Sequence, residues 1–314
     1  MQARLRELIE DEVSGPMPAA ATRLVDAICD RHRTGIAAVV FYGSCLRQSD
    51  IRSDGAVFDF YVLVDSYRSF YGRRWIAAAA NYLMPPNVFQ ISVPGGQGER
   101  LQGKYAVVSL AHFRDLVSIK TFHSYFWARF AQPTRLVYAR DGTVREVVID
   151  ALAQAVTTLV GRAAGLMAGP FAPAELWQQA FRQTYSAELR AERAARGEQV
   201  YRVDSARYDG LTEPALAAAG VRFERLADDR ISLLQGEGQS SARSWAVRRM
   251  QGKLLSIIRL TKGIFTYDGG LEYILWKIER HSGITTPLTE WQRRHPLLAA
   301  PGLAWRLYRR GAFR

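Results

Sequence analysis

The stretch from Val39 to Asp65 constrains this chain more than any other. It reads as an apolar run, then Tyr42-Gly43-Ser44, a polar loop from Arg47 to Gly55, and then Val57-Phe58-Asp59-Phe60-Tyr61-Val62-Leu63-Val64-Asp65. Short apolar runs bounded by turn signals predict buried strands. The first strand therefore enters a Gly-Ser turn, and the second carries a carboxylate within an otherwise apolar run. An ionised Asp inside such a strand is costly unless it is paired or holds a cation. Two readings follow: chemistry at Asp59, or a tight turn beside an Asp held at a strand edge or in a core ion pair.

The flanking sequence places these strands in a domain. Apolar spacing predicts helices over residues 4–14 and 19–33, with Gly35 placed to stop the second. Strands are predicted over 36–42 and 56–65. An Ala-rich helix over 71–83 is ended by Pro85-Pro86. Strands over 88–93 and 101–110 flank the turn Pro94-Gly95-Gly96-Gln97-Gly98 and predict a hairpin. A helix over 115–131 and a strand over 135–139 complete the pattern. Strands alternating with helices predict an α/β arrangement with a mixed sheet over residues 1–142. After Asp141-Gly142 the pattern turns helical, over 144–167, 174–195, 242–265 and 269–281, with a less regular 203–240. The expected architecture is α+β: a mixed-sheet domain over 1–142, a mainly helical domain over 143–285, and a tail over 286–314.

Charge narrows the partners. Lys and Arg number 42 against 30 Asp and Glu, a formal net charge of +12. Such an excess points to a polyanion, whether nucleic acid, an anionic membrane surface or a phosphate-bearing substrate; an Arg-rich solubilising surface is the plainer explanation. From Arg293 onward the tail holds arginines at 293, 294, 306, 309, 310 and 314 and no acid, interleaved with Trp291, Leu297, Leu298, Leu303, Trp305, Leu307 and Tyr308. That mixture suits an amphipathic segment in a bilayer interface, or a docked helix with its Arg face in water. Cys29 and Cys45 make no metal-ligand spacing and suit a reducing compartment. No apolar run approaches the ~20 residues that span a bilayer, and the charged N-terminus has no signal-peptide core. The expectation is a cytoplasmic protein, peripheral on the inner face of a membrane.

Asp59 is the first candidate for chemistry, because phosphoryl and nucleotidyl transfer need cations to offset charge on the attacking and leaving oxygens. Polymerase-β-type nucleotidyltransferases use this layout: a Gly-Ser turn opening a helix that holds phosphates, and acids on the next strand that hold Mg²⁺. Acids at alternate positions would share one face, but Tyr61 stands where the second would be. The second ligand then comes from Asp54, Asp65 or Asp115. Asp65 lies about 20 Å along the strand, which leaves Asp54 or a residue distant in sequence as the better candidate. Lys104 falls on a strand that can neighbour Asp59 and neutralise a phosphate. Arg243, Arg248, Arg249, Lys253, Arg259 and Lys262 fill an almost acid-free helix, with Arg259 and Lys262 on one face. The histidines make no metal or triad spacing, and Ser44 lacks the glycines of a nucleophile elbow.

Several short motifs recur in order: Tyr42-Gly43-Ser44; Asp59-Phe60 with Val64-Asp65; Lys104-Tyr105-Ala106-Val107-Val108-Ser109; Asp115-Leu116; Tyr125-x-x-x-Arg129 with Pro133; Tyr185-x-x-Glu188-x-Arg190; and Lys262-Gly263-Ile264-x-Thr266. In this series, over residues 39–280, the chain resembles the mitochondrial-type phosphatidate cytidylyltransferases. These are peripheral CDP-diacylglycerol synthases with a nucleotidyltransferase fold. It departs from them at Cys45 and Ala106, where the family carries glycine. The resemblance implies transfer of CMP from CTP to phosphatidate with Mg²⁺, giving CDP-diacylglycerol and pyrophosphate. Asp59 and Lys104 would be catalytic, Asp59 and Asp54 would hold the metal, and Gly43, Ser44, Arg259 and Lys262 would bind phosphates.

Two other readings stay open. One is a nucleotidyltransferase acting on RNA or another phosphorylated acceptor, which the basic surface allows. No RNA-binding module is visible, so nucleic acid is not the expected partner. The other is a non-catalytic membrane-binding protein on the same fold.

Overall fold

A computed structural model describes residues 2–32, 34–47, 56–95, 100–188, 195–234, 242–266, 287–294 and 296–310. Its centre is a five-stranded sheet in the order β3-β4-β2-β1-β5. The strands are β1 (Ile36–Tyr42), β2 (Val57–Val64), β3 (Asn87–Pro94), β4 (Arg100–Ser109) and β5 (Thr134–Ala139). Only β2 and β4 run parallel; β1–β2, β1–β5 and β3–β4 are antiparallel. The sheet is mixed, as the sequence predicts, and the hairpin joins β3 to β4.

The strands form here because their apolar runs are covered on both faces. Residues 36–41 of β1 and 60–64 of β2 are all buried. On one face Phe41, Phe58 and Phe60 form a cluster of rings. Helix α2 (Ala19–Arg31) packs on this side, with Leu24 reaching the level of Phe60 and Ile91 at Gly103. His32 follows α2 and meets the Tyr105 hydroxyl at 2.7 Å. Strand alternation turns Tyr42, Asp59 and Tyr61 to the other face, where Tyr61 packs on Phe126 and Phe130. Phe130 belongs to α6 (Trp127–Phe130).

The remaining helices are α1 (Gln2–Val13), α3 (Tyr67–Tyr71), α4 (Trp75–Leu83), α5 (Leu110–Val117), α7 (Gly142–Ala164), α8 (Pro173–Ser186), α9 (Ala195–Val203), α10 (Ser205–Ala218) and α11 (Ala242–Thr266). Two more, Glu290–Arg294 and Pro296–Arg309, lie near the C-terminus. A two-stranded hairpin pairs β6 (Phe223–Arg225) with β7 (Ile231–Leu233). Helix α7 is long and apolar enough to cross a bilayer, yet 67% of its most apolar window is buried inside the fold. It is the core helix against which α1, α5, α6, α8 and α10 pack. A single cluster of buried residues runs from Leu5 to Trp245, so the core continues across the change of character at residue 142. Arg207 of α10 and Glu12 of α1 form a largely buried ion pair across that line.

Three local expectations are corrected. The helix expected over 71–83 starts later: Gly72, at φ 54°, ends the preceding α3, and α4 begins at Trp75. Residues 115–131 are not one helix. The hydroxyls of Ser118 and Thr121 both donate to the Asp115 carbonyl at 2.7 Å. These bonds offer the backbone an alternative to the next turn, and α5 stops at Val117. The region 203–240 contains the full helix α10 despite Gly210 and Pro214, because Tyr208, Leu211, Ala215 and Leu216 bury one face. The expected helix 269–281 lies outside the described residues.

Candidate functional site

Gly43 closes β1 at φ 93°, a conformation that glycine adopts without a Cβ penalty. A Cβ there would sit 3.2 Å from Asp59 Oδ2, so the turn lies directly against the carboxylate. The register explains the contact: Tyr42, just before the turn, is the cross-strand partner of Asp59. On the other side of β2, Asp59 stands opposite Lys104 in the parallel β2–β4 pairing. The Lys104 ammonium is 3.1 Å from Asp59 Oδ1, and the two side chains are 35% and 26% exposed. The lone carboxylate of an apolar strand is thus paired, as its cost requires. Both partners still reach solvent, so a ligand can compete for either.

Ser44 starts a four-residue 3-10 turn, Ser44–Arg47. Cys45 behind it is buried, with its thiol 3.4 Å from the Val57 carbonyl. Burial, and then the Asp59 charge, push its pKa up, which keeps it a thiol and no nucleophile.

One alternation along β2, about 7 Å from Asp59, Tyr61 begins an aromatic and basic layer on the same face. Arg129 donates to the Tyr61 hydroxyl at 3.0 Å. Its guanidinium lies 4.3 Å from the centre of the Tyr125 ring and 5.6 Å from that of Tyr42. Arg259 of α11 covers Tyr125 at 3.9 Å. Burial raises the Tyr61 pKa far above the ordinary value. Burial acts the same way on Tyr125, but Arg129 and Arg259 outweigh it and lower its pKa. The Glu188 charge acts on both arginines. Arg129 and Arg259, far apart in sequence, therefore meet around the Tyr125 ring, within reach of the Glu188 charge.

Lys262 lies beyond this layer, at the start of β3. It donates to the carbonyls of Met84 and Pro86, the latter at 2.8 Å, and to Asn87 Oδ1 at 2.8 Å. Burial, then the Arg259 charge, lower its pKa to about 7. Arg259 also donates to the Pro85 carbonyl at 3.3 Å.

The sequence-derived residues thus fall into two groups. Gly43, Asp59 and Lys104 meet at one end of the sheet, with Ser44 in the adjoining turn. Arg259 and Lys262 join the Met84–Asn87 segment, linked to the first group through Tyr125, Arg129 and Tyr61. Asp54 lies outside the described residues. Asp65 is taken by Arg140, whose Nη1 donates to both its oxygens at 2.8 and 2.7 Å. Asp115 lines a separate pocket of about 400 Å³ with Arg114, Lys120, Asp150 and Gln154.

Among the described residues no group of three or more His, Cys, Asp or Glu side chains converges. Asp59 still offers a hard oxygen donor beside an open glycine turn. One carboxylate plus phosphate oxygens of a nucleotide is an ordinary Mg²⁺ ligand set, and in that form the residues fit the ion. In the sequence, Tyr61 stands only as the residue in place of a second acid. Its place two residues after Asp59 was the signal that it shares the site's face. No family model matches the chain, and no curated protein does.

Proposed function

We propose that this protein is a nucleotidyltransferase that moves CMP from CTP to the phosphate of a membrane lipid, phosphatidate in the simplest case. The observation that carries the reading is the meeting of Gly43, Asp59 and Lys104 at one end of a mixed sheet. The order of the motifs over residues 39–280 supplies the substrate class.

The residues divide the work as follows. Gly43 lets a triphosphate approach the backbone beside Asp59, where an added Cβ would lie 3.2 Å from the carboxylate. Asp59 would hold Mg²⁺, which when bound neutralises charge on the triphosphate. Lys104 exchanges its ion pair for a phosphate oxygen and offsets charge on the leaving group. The acceptor is a phosphate monoester with a second pKa of about 6, so its dianion needs no general base. One of its oxygens forms a bond to the α-phosphorus of CTP. The bond from that phosphorus to the α,β-bridging oxygen breaks, and pyrophosphate leaves. Catalysis of this kind is positioning plus charge neutralisation, which suits a site with one carboxylate and several cations. Arg129 and Arg259, which flank the Tyr125 ring beyond Tyr61, would add positive charge for the phosphates, whereas Lys262 directs its three N–H donors to Met84, Pro86 and Asn87.

The acceptor is tested by incubating the purified protein with α-labelled CTP, Mg²⁺ and either phosphatidate vesicles or RNA. Label should pass into the lipid fraction. Label in RNA alone would replace phosphatidate with nucleic acid as acceptor.

A further inference from the structure

Helix α4 is built inside out. Its one fully buried residue is polar: Asn81 donates to the Tyr71 hydroxyl and the Val107 carbonyl, both at 3.0 Å, and accepts from the Asn87 amide at 2.8 Å. This network fixes which way the helix faces. The opposite side carries Trp75, Ile76, Tyr82 and Leu83, at offsets 0, 1, 7 and 8 that place them on one face. Trp75 is 72% exposed and Leu83 77%.

Helix α11 repeats the inversion. Arg248 is fully buried, donating to the Phe122 carbonyl at 2.7 Å and lying between the rings of Phe122 and Trp245. Val247, Met250, Leu254 and Ile258 instead form an exposed stripe, with Met250 at 70%. The two helices meet where Arg259 and Lys262 bond the carbonyls of Met84, Pro85 and Pro86, directly after Leu83. The end of α4 and the C-terminal part of α11 therefore adjoin at these bonds.

The charges carried by these two segments share one sign. Residues 66–87 and 242–266 contain no Asp or Glu. Arg68, Arg73 and Arg74 are exposed beside α4, and Arg243 and Lys253 on α11. Large apolar side chains turned outward while Asn81 and Arg248 are buried are not the surface of a monomer in water. Trp and Tyr on an apolar face flanked by arginines match an anionic bilayer interface. The C-terminal helix behaves differently. Its Ala299, Leu303 and Leu307 are buried, and it turns Trp305, Arg306, Arg309 and Arg310 outward.

We propose that α4 and the exposed stripe of α11 form a bilayer-docking face, with Trp75, Ile76, Tyr82 and Leu83 entering the interface and Arg73 and Arg74 meeting anionic headgroups. The face lies on the helices that adjoin Arg259 and Lys262, so a headgroup held at the interface is near the basic layer. The proposal deepens the lipid-substrate reading, but its test measures binding and not turnover, so either can fail alone.

The test is flotation of the full chain with phosphatidylcholine vesicles, with and without phosphatidylglycerol. Three exposed-site variants are compared with the wild type: Trp75→Glu/Leu83→Glu, Met250→Glu/Leu254→Glu and Arg73→Glu/Arg74→Glu. The wild type should float with the anionic vesicles. The arginine variant should lose partitioning on the order of tenfold, and the two apolar variants at least as much. Circular dichroism should stay unchanged, since none of these side chains is buried. Undiminished flotation of all three variants would overturn the proposal. So would a stable dimer in lipid-free solution that the same substitutions dissolve, which would make the face an interface between copies.

Discussion

Asp59 and Lys104 occupy the same level of the parallel strands β2 and β4, and their side chains close an ion pair of 3.1 Å beside the turn at Gly43. A pair this exposed contributes about 0–1 kcal/mol to stability. Stability alone gives little reason for an Asp in an otherwise apolar strand. A site that binds anions and cations in turn gives a better one.

Stability and binding therefore separate at Lys104. Lys104→Met should change the unfolding free energy by less than about 1 kcal/mol. It should weaken CTP binding, measured by calorimetry with Mg²⁺ present, by about tenfold or more. Equal CTP affinity in the two proteins would remove Lys104 from the site.

Gly43→Ala strains a backbone at φ 93° and places a methyl 3.2 Å from Asp59 Oδ2. Denaturant unfolding should show a loss of about 1–2 kcal/mol. Turnover should fall further than stability does, because the carboxylate has to move. A variant with wild-type turnover would show that nothing needs to approach the turn.

Gly252 offers a purely structural check on how α11 is seated. Replacing a mid-helix Gly by Ala ordinarily stabilises by about 1 kcal/mol. Here a Cβ would lie 2.6 Å from the Ala187 carbonyl oxygen and 2.9 Å from its Cβ. The sign should reverse, with Gly252→Ala costing about 1–3 kcal/mol, read as a lowered Tm. A raised Tm would mean that α11 packs less closely on the end of α8.

Acid should destabilise the fold through His32 and His123. Burial, then Arg31, lower His32 to about 4; burial, then Arg259 and His112, lower His123 to about 4. Between pH 4 and the ordinary value of 6.5, the unfolded chain binds protons that the folded protein refuses. Their contribution is complete above that window and is lost as pH falls through it. His123→Leu should flatten this slope by about 2 kcal/mol across the window. An unchanged slope of unfolding free energy against pH would exclude His123 as a source.

Where the chain alternates cleanly, its sequence predicts the fold closely. The all-apolar β1, the β2 run and the β3–β4 hairpin lie within a residue or two of their expected bounds. The motifs carrying Gly43, Asp59 and Lys104 converge as adjacent strands allow. Regions where side chains compete with the backbone are harder to read. Ser118 and Thr121 end α5 by capturing the Asp115 carbonyl, and periodicity does not register such bonds. Pro214 and Gly210 look like breakers, yet burial of Tyr208 and Leu211 holds α10 together. The inverted helices were the least legible. An Ala-rich run and a basic run give no sign that Asn81 and Arg248 point inward, because their partners come from Val107 and Phe122, distant in sequence. The sequence marks Tyr125, Arg129, Glu188 and Arg259 as motif or basic-helix residues, but spacing alone does not show that both arginines stack on Tyr125.

The most direct test of the central claim is pyrophosphate release by purified protein given Mg²⁺, CTP and phosphatidate vesicles, for the wild type beside Asp59→Asn. The wild type should release pyrophosphate in step with CDP-diacylglycerol. Asp59→Asn should release none, while keeping its circular dichroism spectrum and Tm. No release from a wild-type protein that binds CTP, or full release from Asp59→Asn, would contradict the assignment.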